Sequence, residues 1–454
     1  MPHNPRTRPG LLLLVSLIAT AACQDMTAVD PAARAAADPL FAKGSGLPFS
    51  EAMAALGDVI FDDEDLSVNR NQSCKSCHDA AWGFTGPHTS VNAGGAVYEG
   101  SIAGRFGDRK PPSSAYSTPA PLFELTRQAG GLFVGGNFWD GRATGGKLGN
   151  PAADQAQGPF TNPFEQGLRD AACVVYRVAH AEYAPQYRAL WGDAIDEIVF
   201  PAGIDAACGE EGDPFAIDEV NRARIEQEYA NIAIAIAVYE ESHGLYSSKF
   251  DAARKGGYRF TAEEQRGLAL FQGKGKCSRC HTSTGKDAAF TDFTYDNLGV
   301  PANPDNPIYG RIPNYVDDGL GGFLASTEWA AEAEEQLGKM KVPTLRNVDL
   351  RPATGDVKAY MHNGVFKSLE EVVRFYNTRD VLPQCAPGVP RAAWGQTCWP
   401  AAEVQQNVDR VKVGNLGLTL EEEAAIVAFL RTLSDGYFEA GTGRHGRMAG
   451  PGRP

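Results

Sequence analysis

Two short segments of the sequence combine cysteine and histidine at a fixed spacing. Both read C-x-x-C-H, and the residues are Cys74, Cys77 and His78 in the first and Cys277, Cys280 and His281 in the second. This motif attaches c-type haem, because its thiols form thioethers to the vinyl groups and its histidine ligates the iron from one side. A zinc site or a redox dithiol would not require a histidine at that offset. The sequence therefore predicts two covalently bound haem c groups.

The amino terminus has the layout of a secretory signal. Two arginines precede an apolar stretch from Leu11 to Ala22, which is too short to span a bilayer, and Cys23 follows it. A cysteine at this place resembles a bacterial lipobox and predicts lipidation of Cys23, whereas the alternative is simple cleavage near Ala21 or Ala22. Residues 1–23 are therefore predicted to be a signal peptide of lipoprotein type. The mature chain is expected in the periplasm, either free or anchored to the membrane through Cys23.

Four cysteines remain outside the haem motifs and the signal. An even number of cysteines in an exported chain predicts two disulfides. Three pairings are formally possible, and proximity in sequence favours one of them. The favoured bonds are Cys173 with Cys208 and Cys385 with Cys398.

Composition restricts the class of protein. The chain has 454 residues, with 42 Lys and Arg against 56 Asp and Glu, which gives a net charge of −14. Such an acidic chain is not expected to bind nucleic acid, and its apolar content of 43% is that of a globular protein. After the signal, no apolar run approaches the roughly 18 residues of a membrane span. Membrane contact is therefore expected only through the lipid anchor.

The same order of segments occurs twice. A helical pattern, a C-x-x-C-H motif, long loops and another helix follow one another, and the two motifs start 203 residues apart, at 74 and 277. This order predicts an all-α fold of two cytochrome c-like haem domains with long loops. The predicted parts are the signal at 1–23, a tether at 24–45, an N-terminal peroxidatic haem domain at 46–250, a C-terminal electron-transfer haem domain at 258–437, and a disordered tail at 438–454.

Further motifs surround the two haem sites in a fixed order. They are N-F-W-D-G-R at 137–142, D-Q-A-Q-G-P at 154–159, N-P-F-E at 162–165, N-L-G-V-P at 297–301, V-P-T-L-R-N at 342–347 and Y-M-H-N-G at 360–364. With these motifs the sequence resembles the bacterial di-haem cytochrome c peroxidase family, which includes MauG and related protein-modifying enzymes. The resemblance covers most of residues 50–437.

The resemblance assigns a catalytic pocket to the first haem. It places the general acid and base of peroxide cleavage on Glu165, with Gln155 and Pro159 as other residues of the pocket; the alternative for a lone glutamate is a surface charge. Many members block this iron with a histidine from the following loop, but residues 103–112 contain none. The site is therefore expected to be open. His88 is the nearest alternative ligand in sequence, although a loop histidine is more often solvated.

The resemblance also assigns the bridge between the haems and the second axial ligand. Trp139 lies in the motif that separates the haems, where an indole can relay an electron, although it can equally be a core aromatic. The candidates for the second ligand are Met340, Met361, His362 and Tyr376. Tyr376 is favoured, since S-L-E-E-V-V-R-F-Y at 368–376 matches the region where MauG-like members carry tyrosine. The alternative is that Tyr376 is only a half-buried residue of a helix and does not bind iron.

One family feature is not expected here. Members usually hold calcium between the domains, with an asparagine after the first haem and carbonyls just before Y-M-H. In this sequence Lys110 takes the asparagine position, and V-K-A at 357–359 replaces T-x-P. Because an ammonium group can replace the cation, calcium is doubtful.

The resemblance implies an oxidoreductase that uses hydrogen peroxide and stores two oxidising equivalents over both haems. We expect MauG-like oxidation of a protein or peptide side chain. One alternative is a conventional cytochrome c peroxidase, which takes electrons from a small cytochrome or cupredoxin. Another is a non-enzymatic di-haem electron carrier, which would have two six-coordinate irons and no catalytic glutamate.

Overall fold

Helices carry most of the regular structure. The computed structural model describes residues 50–126, 131–285 and 287–438, all within one compact unit, Phe41–Pro454. The predicted signal, Cys23, the tether and the tail from residue 439 lie outside the described residues. The α-helices described are α1 (Glu51–Phe61), α2 (Thr89–Ala93), α3 (Pro151–Thr161), α4 (Ala171–His180), α5 (Ala184–Trp191), α6 (Ile204–Ala207), α7 (Glu219–Ser242), α8 (Lys249–Arg254), α9 (Ala262–Gln272), α10 (Ile308–Arg311), α11 (Gly319–Leu324), α12 (Leu369–Thr378) and α13 (Leu420–Leu430).

Local sequence explains where the helices next to the haem motifs begin. Thr261 and Glu264 form a capping box at the start of α9, and Thr419 and Glu422 form another at the start of α13. The long helix α7 starts after Asp218, whose side chain accepts hydrogen bonds from two free backbone N–H groups. These capping residues are visible in the sequence, so the starts of the three helices follow from local signals.

Each haem motif follows a helix that packs closely on a second helix. Helix α1 lies against α7 through Gly57, and α9 lies against α13 through Gly267. A Cβ on either glycine would overlap the backbone of the facing helix, at Ala235 and Ala425 respectively. The two glycines therefore set the closest approach of both helix pairs, which then lead into Cys74 and Cys277.

Buried apolar side chains form two main clusters. One contains residues from Met53 to Val238 and the other residues from Phe250 to Leu433. The prediction of a helical fold is confirmed in this coarse form, while the assignment of two haem domains at 46–250 and 258–437 stays a prediction. Within the described residues, no helix is long and apolar enough to cross a membrane.

Two small antiparallel sheets depart from a purely helical fold. Strand β1 (Glu124–Thr126) pairs with β2 (Leu132–Val134), and β3 (Tyr295–Asp296) pairs with β4 (Met340–Lys341). A bridge between Val134 and Thr294 joins segments from the two halves of the sequence. A smaller cluster that includes Phe123, Phe133 and Tyr295 packs at this place.

Both predicted disulfides are present. Cys173 in α4 is bonded to Cys208 just after α6, and Cys385 is bonded to Cys398. The other four cysteines of the described chain, those of the haem motifs, are free thiols. The pairing expected from proximity in sequence is thus confirmed.

Candidate functional site

The two C-x-x-C-H motifs have nearly the same local structure. The first begins on the 3₁₀ turn Cys74–Ser76 and the second on the turn Cys277–Arg279. The His78 N–H donates to the Cys74 carbonyl at 3.0 Å, and the His281 N–H donates to the Cys277 carbonyl at 2.9 Å. Each turn therefore brings two thiols and one imidazole together.

A backbone carbonyl orients each imidazole. His78 Nδ1 lies 3.0 Å from the Phe84 carbonyl oxygen, and His281 Nδ1 lies 2.9 Å from that of Phe290. With Nδ1 as the donor, Nε2 keeps its lone pair for a metal, as in most histidine ligands. Burial lowers the pKa of both histidines, that of His78 to about 4, which favours the neutral, ligating form.

The two residues whose carbonyls accept these hydrogen bonds share an uncommon backbone conformation. Phe84 has φ +58° and Phe290 has φ +55°. A bulky residue in the left-handed region costs on the order of 1–3 kcal/mol, and such strain is concentrated at functional sites. Both motifs thus use a strained phenylalanine whose carbonyl contacts the histidine. This repetition indicates that the loops after the two motifs serve to orient His78 and His281.

A large cavity connects the two motifs. Its lining includes His78, Trp139, His281 and Tyr376, and apolar surface dominates it. The residues fit covalent haem at both places, because each motif offers two free thiols and an oriented imidazole beside apolar space. Cys74, Cys77 and His78 would hold one haem, and Cys277, Cys280 and His281 would hold the other.

A smaller cavity lies on the side of the first motif. It is lined by His78 together with Gln155, Pro159 and Glu165, the three residues expected in the catalytic pocket. Gln155 and Pro159 lie on α3, and Glu165 follows the turn at Asn162. The structure thus brings these four residues together. Their roles remain predictions.

Glu165 is a half-buried carboxyl group in this pocket. Burial raises the pKa of Glu165 above its ordinary value, and Arg142 and the Asn162 side chain oppose that increase only in part. A raised pKa brings a carboxyl group closer to the pH at which it can exchange a proton with peroxide, which is the direction that general acid and base work favours.

Histidines other than His78 are absent from the lining of the smaller cavity, as far as the described residues go. His88 is exposed at the start of α2, with its ring 6.0 Å from that of Tyr98. It lines neither cavity. Whether His88 can act as an axial ligand stays a prediction.

Trp139 lies in the wall shared by both cavities. Its indole N–H donates to the Lys110 carbonyl at 2.8 Å, and its ring lies 6.4 Å from that of His362. The Lys110 N–H donates in turn to the His362 carbonyl at 2.7 Å. The indole is therefore held in one orientation between the two haem motifs.

All four candidates for the second axial ligand line the large cavity. His362 Nε2 faces Asp317 at 3.9 Å, and its ring lies beside Trp139, between the two motifs. Burial raises the pKa of Tyr376, and the nearby thiols of Cys277 and Cys280 raise it further. All four side chains are thus within reach of a haem on His281, and the choice among them stays a prediction.

Two ionisable side chains that line the cavities were missed from the sequence. Glu240 of α7 lines the smaller cavity, and burial raises its pKa to about 8. Lys341 lines the large cavity, where its ammonium donates to Asn137 Oδ1 at 2.6 Å. No recognisable motif marks either residue. Polar residues within a helix or strand pattern usually face solvent, so the sequence gives no reason to place them at a cavity.

Comparison with known proteins agrees with this geometry. Residues 51–259 match the family described as di-haem cytochrome c peroxidase. The chain is 34% identical over 403 residues to the methylamine utilization protein MauG of Paracoccus denitrificans, covering 86% of this chain and 91% of that protein. The chain therefore belongs to the di-haem cytochrome c peroxidase family. It is an oxidoreductase of the di-haem peroxidase class.

Other relatives include both peroxidases and a MauG-like protein. The cytochrome c551 peroxidase of Nitrosomonas europaea is 27% identical over 342 residues, covering 75% of this chain and 77% of that one. The crystal structure of the di-haem peroxidase BthA from Burkholderia thailandensis superimposes with a TM-score of 0.67 at 28% identity, covering 90% of this chain and 96% of that one. A MauG-like protein associated with microbial copper homeostasis gives a TM-score of 0.56 at 26% identity, with coverages of 86% and 91%.

Proposed function

We propose that this protein is a MauG-like oxidase that uses hydrogen peroxide to oxidise a side chain of another protein or peptide. The observation that carries this proposal is the smaller cavity, where Glu165, Gln155 and Pro159 meet His78 without a second histidine among the described lining residues. Such a pocket leaves room for peroxide on the first haem.

The chain's own residues would divide the work. Bound haem supplies the redox chemistry with peroxide, and the protein supplies ligands, proton transfer and exclusion of water. Glu165 takes the proton from peroxide and returns it to the departing oxygen. Gln155 and Pro159 shape the space in which peroxide lies.

Trp139 relays electrons between the two haems, so that both share the two oxidising equivalents. Its position in the wall of both cavities supports this role. The Lys110 carbonyl accepts the indole N–H but cannot take up a proton. The indole therefore keeps its proton while it exchanges an electron.

Tyr376 is the proposed second ligand of the haem at His281. A phenolate is a hard anionic donor that stabilises oxidised iron and lowers the potential, whereas methionine favours the reduced state. A low potential suits a site that stores oxidising equivalents. The location is the periplasm, with Cys23 as a lipid anchor, and the net charge of −14 favours a basic partner protein.

A conventional cytochrome c peroxidase is the second candidate. Met340 and Met361 also line the cavity next to His281, and a methionine ligand would give the second haem the higher potential that this activity needs. The electron donor would then be a small cytochrome or cupredoxin.

A rate comparison separates the two candidates. Fully oxidised and half-reduced enzyme are each mixed with one equivalent of hydrogen peroxide in a stopped-flow spectrometer. A MauG-like oxidase reacts at once in the oxidised form. If the oxidised form is inert and half-reduction starts the reaction, the proposal is wrong and the conventional peroxidase is correct.

A further inference from the structure

Lys358 is a buried lysine with an unusual set of partners. Its side chain lies four residues before His362 and is only 4% exposed. Its Nζ donates hydrogen bonds to the carbonyl oxygens of Trp82 at 2.8 Å, Asn347 at 2.8 Å and Leu350 at 2.9 Å. We call these three oxygens the carbonyl cage.

The cage requires the charged form of the lysine. An ammonium group has three N–H bonds, and the three carbonyls use all of them, whereas a neutral amine has only two to offer. Lys358 forms no salt bridge with any described residue. Burial lowers the pKa of Lys358 well below its ordinary value, the charges of Lys110 and Arg351 lower it further, and the Asp349 carboxylate opposes this shift. The three carbonyl acceptors are the geometric feature that favours the ammonium form.

Distant parts of the chain build the cage in uncommon backbone conformations. Gly83, next to Trp82, has φ +72°, and Asn347 has φ +58°. A Cβ on Gly83 would lie 2.7 Å from the Asn347 Cβ and 3.5 Å from Lys358 Nζ. Only glycine therefore allows the turn after the first haem motif to approach the 347–350 segment this closely.

The cage is next to the contact that orients the first iron ligand. The Trp82 carbonyl precedes that of Phe84 by two residues, and the Phe84 carbonyl lies 3.0 Å from His78 Nδ1. The Lys358 ammonium thus fixes one end of a turn whose other end fixes His78.

A divalent cation does not fit this place. Calcium needs about six to eight oxygen ligands, usually with carboxylates among them. The cage offers only three carbonyl oxygens, and the Lys358 Nζ already uses all of them. The buried Lys110 amine donates nearby to Thr85 Oγ1 at 2.7 Å and to the Pro111 carbonyl at 3.0 Å, and burial lowers its pKa to about 7.

We infer that Lys358 serves as a built-in monovalent cation that joins the turn at 82–84 to the segment at 347–350 and so positions His78 without bound calcium. The enzyme therefore carries the bridging charge in its own sequence. Truncation of the side chain should leave a site for a small primary ammonium ion. This inference does not depend on which peroxidase activity the protein has.

The first test uses the unchanged protein. Metal analysis of the purified di-haem enzyme should find no stoichiometric calcium. Treatment with the chelator EGTA should leave both the thermal unfolding temperature and the absorption spectrum of the first haem unchanged. One calcium per chain, or a loss on chelation that calcium reverses, would overturn the inference.

The second test removes the ammonium. Lys358→Ala should lower the unfolding temperature by several degrees and shift the absorption spectrum of the haem on His78. Addition of n-propylammonium, which restores the missing atoms and N–H donors, should reverse both changes. Tetramethylammonium, which has no N–H, should not, and Lys255→Ala, at an exposed lysine, should change neither property.

Some outcomes of this test would reject the inference. They are an unchanged Lys358→Ala variant, equal recovery with both ammonium ions, and recovery with calcium in place of n-propylammonium. If Lys358→Ala does not accumulate, Lys358→Arg replaces it, since a guanidinium keeps the charge but not the geometry of the three donors. That variant should fold and show the same spectral shift, and a spectrum identical to the unchanged protein's would contradict the proposal.

Discussion

Glu165 is the residue proposed for proton transfer in the pocket of His78. The side chain lies in the pocket of His78, and burial raises its pKa. We predict that Glu165→Gln keeps both haems but slows the reaction with peroxide by about 10²- to 10⁴-fold, the usual contribution of general acid and base catalysis. Stopped-flow absorbance measures this rate. Glu210→Gln, at an exposed carboxylate, should react at the normal rate.

The pH profile of the same reaction tests the raised pKa. The unprotonated Glu165 acts as the base, so the rate should fall as the pH decreases through its pKa. Because that pKa lies above the ordinary value for a glutamate, the decrease should begin at a higher pH than for an exposed carboxylate. In Glu165→Gln this decrease of the rate at low pH should disappear. If the decrease persists unchanged, another group is responsible for the titration.

Tyr376 determines the potential of the second haem if it is the ligand. Tyr376→Met should raise the midpoint potential of that haem markedly, within the roughly 0.8 V range that axial ligands set. Spectroelectrochemical titration measures the shift. Tyr376→Phe, which keeps the ring but has no donor oxygen, should change the spin state of the same haem. If both variants keep the potential and spectrum of the unchanged protein, another residue is the ligand.

At the scale of elements, the segment 137–142 places an oxidisable ring between two haem motifs. Trp139→Phe should keep both haems and cost about 0.5–1.5 kcal/mol for the lost hydrogen bond to the Lys110 carbonyl. It should slow the sharing of oxidising equivalents. After one equivalent of peroxide, the absorption spectrum of the second haem should therefore change later than that of the first. Trp191→Phe, outside both cavities, is the matched control. Simultaneous responses in Trp139→Phe would exclude the relay.

The two disulfides should stabilise the fold unequally. Cys173 and Cys208 are 35 residues apart, and Cys385 and Cys398 are 13 apart. The chain-entropy relation then predicts that removal of the first bond lowers the free energy of unfolding by about 4 kcal/mol and removal of the second by about 3 kcal/mol. Denaturant unfolding of the two Cys→Ser double variants would measure these losses. The opposite order would show that strain or residual structure outweighs loop entropy.

Element boundaries and haem motifs could be predicted from the sequence because their signals are local. Capping residues mark the start of α9 and α13, and C-x-x-C-H is a contiguous motif. The expected pocket residues also come together, since α3 and the turn after it carry all three. The carbonyl cage of Lys358 and the burial of Glu240 could not be predicted, because both depend on segments that meet only in the folded chain.

At the scale of the whole molecule, the helix pair and the haem motif are each used twice. The pairs α1 with α7 and α9 with α13 close on Gly57 and Gly267, and each leads to one motif. The purified protein should therefore carry two haems per chain, both covalent. Pyridine haemochrome analysis and intact mass would measure this number. One haem, or haem extractable by acid acetone, would contradict the account.

Electron paramagnetic resonance of the oxidised protein, before and after one equivalent of hydrogen peroxide, tests whether the haem on His78 is open and the haem on His281 is six-coordinate. We expect one high-spin ferric signal from the haem on His78 and one low-spin signal from the haem on His281. Both should decrease on addition of peroxide without prior reduction. Two low-spin signals that persist until one haem is reduced would show that the first haem is blocked and identify a conventional peroxidase.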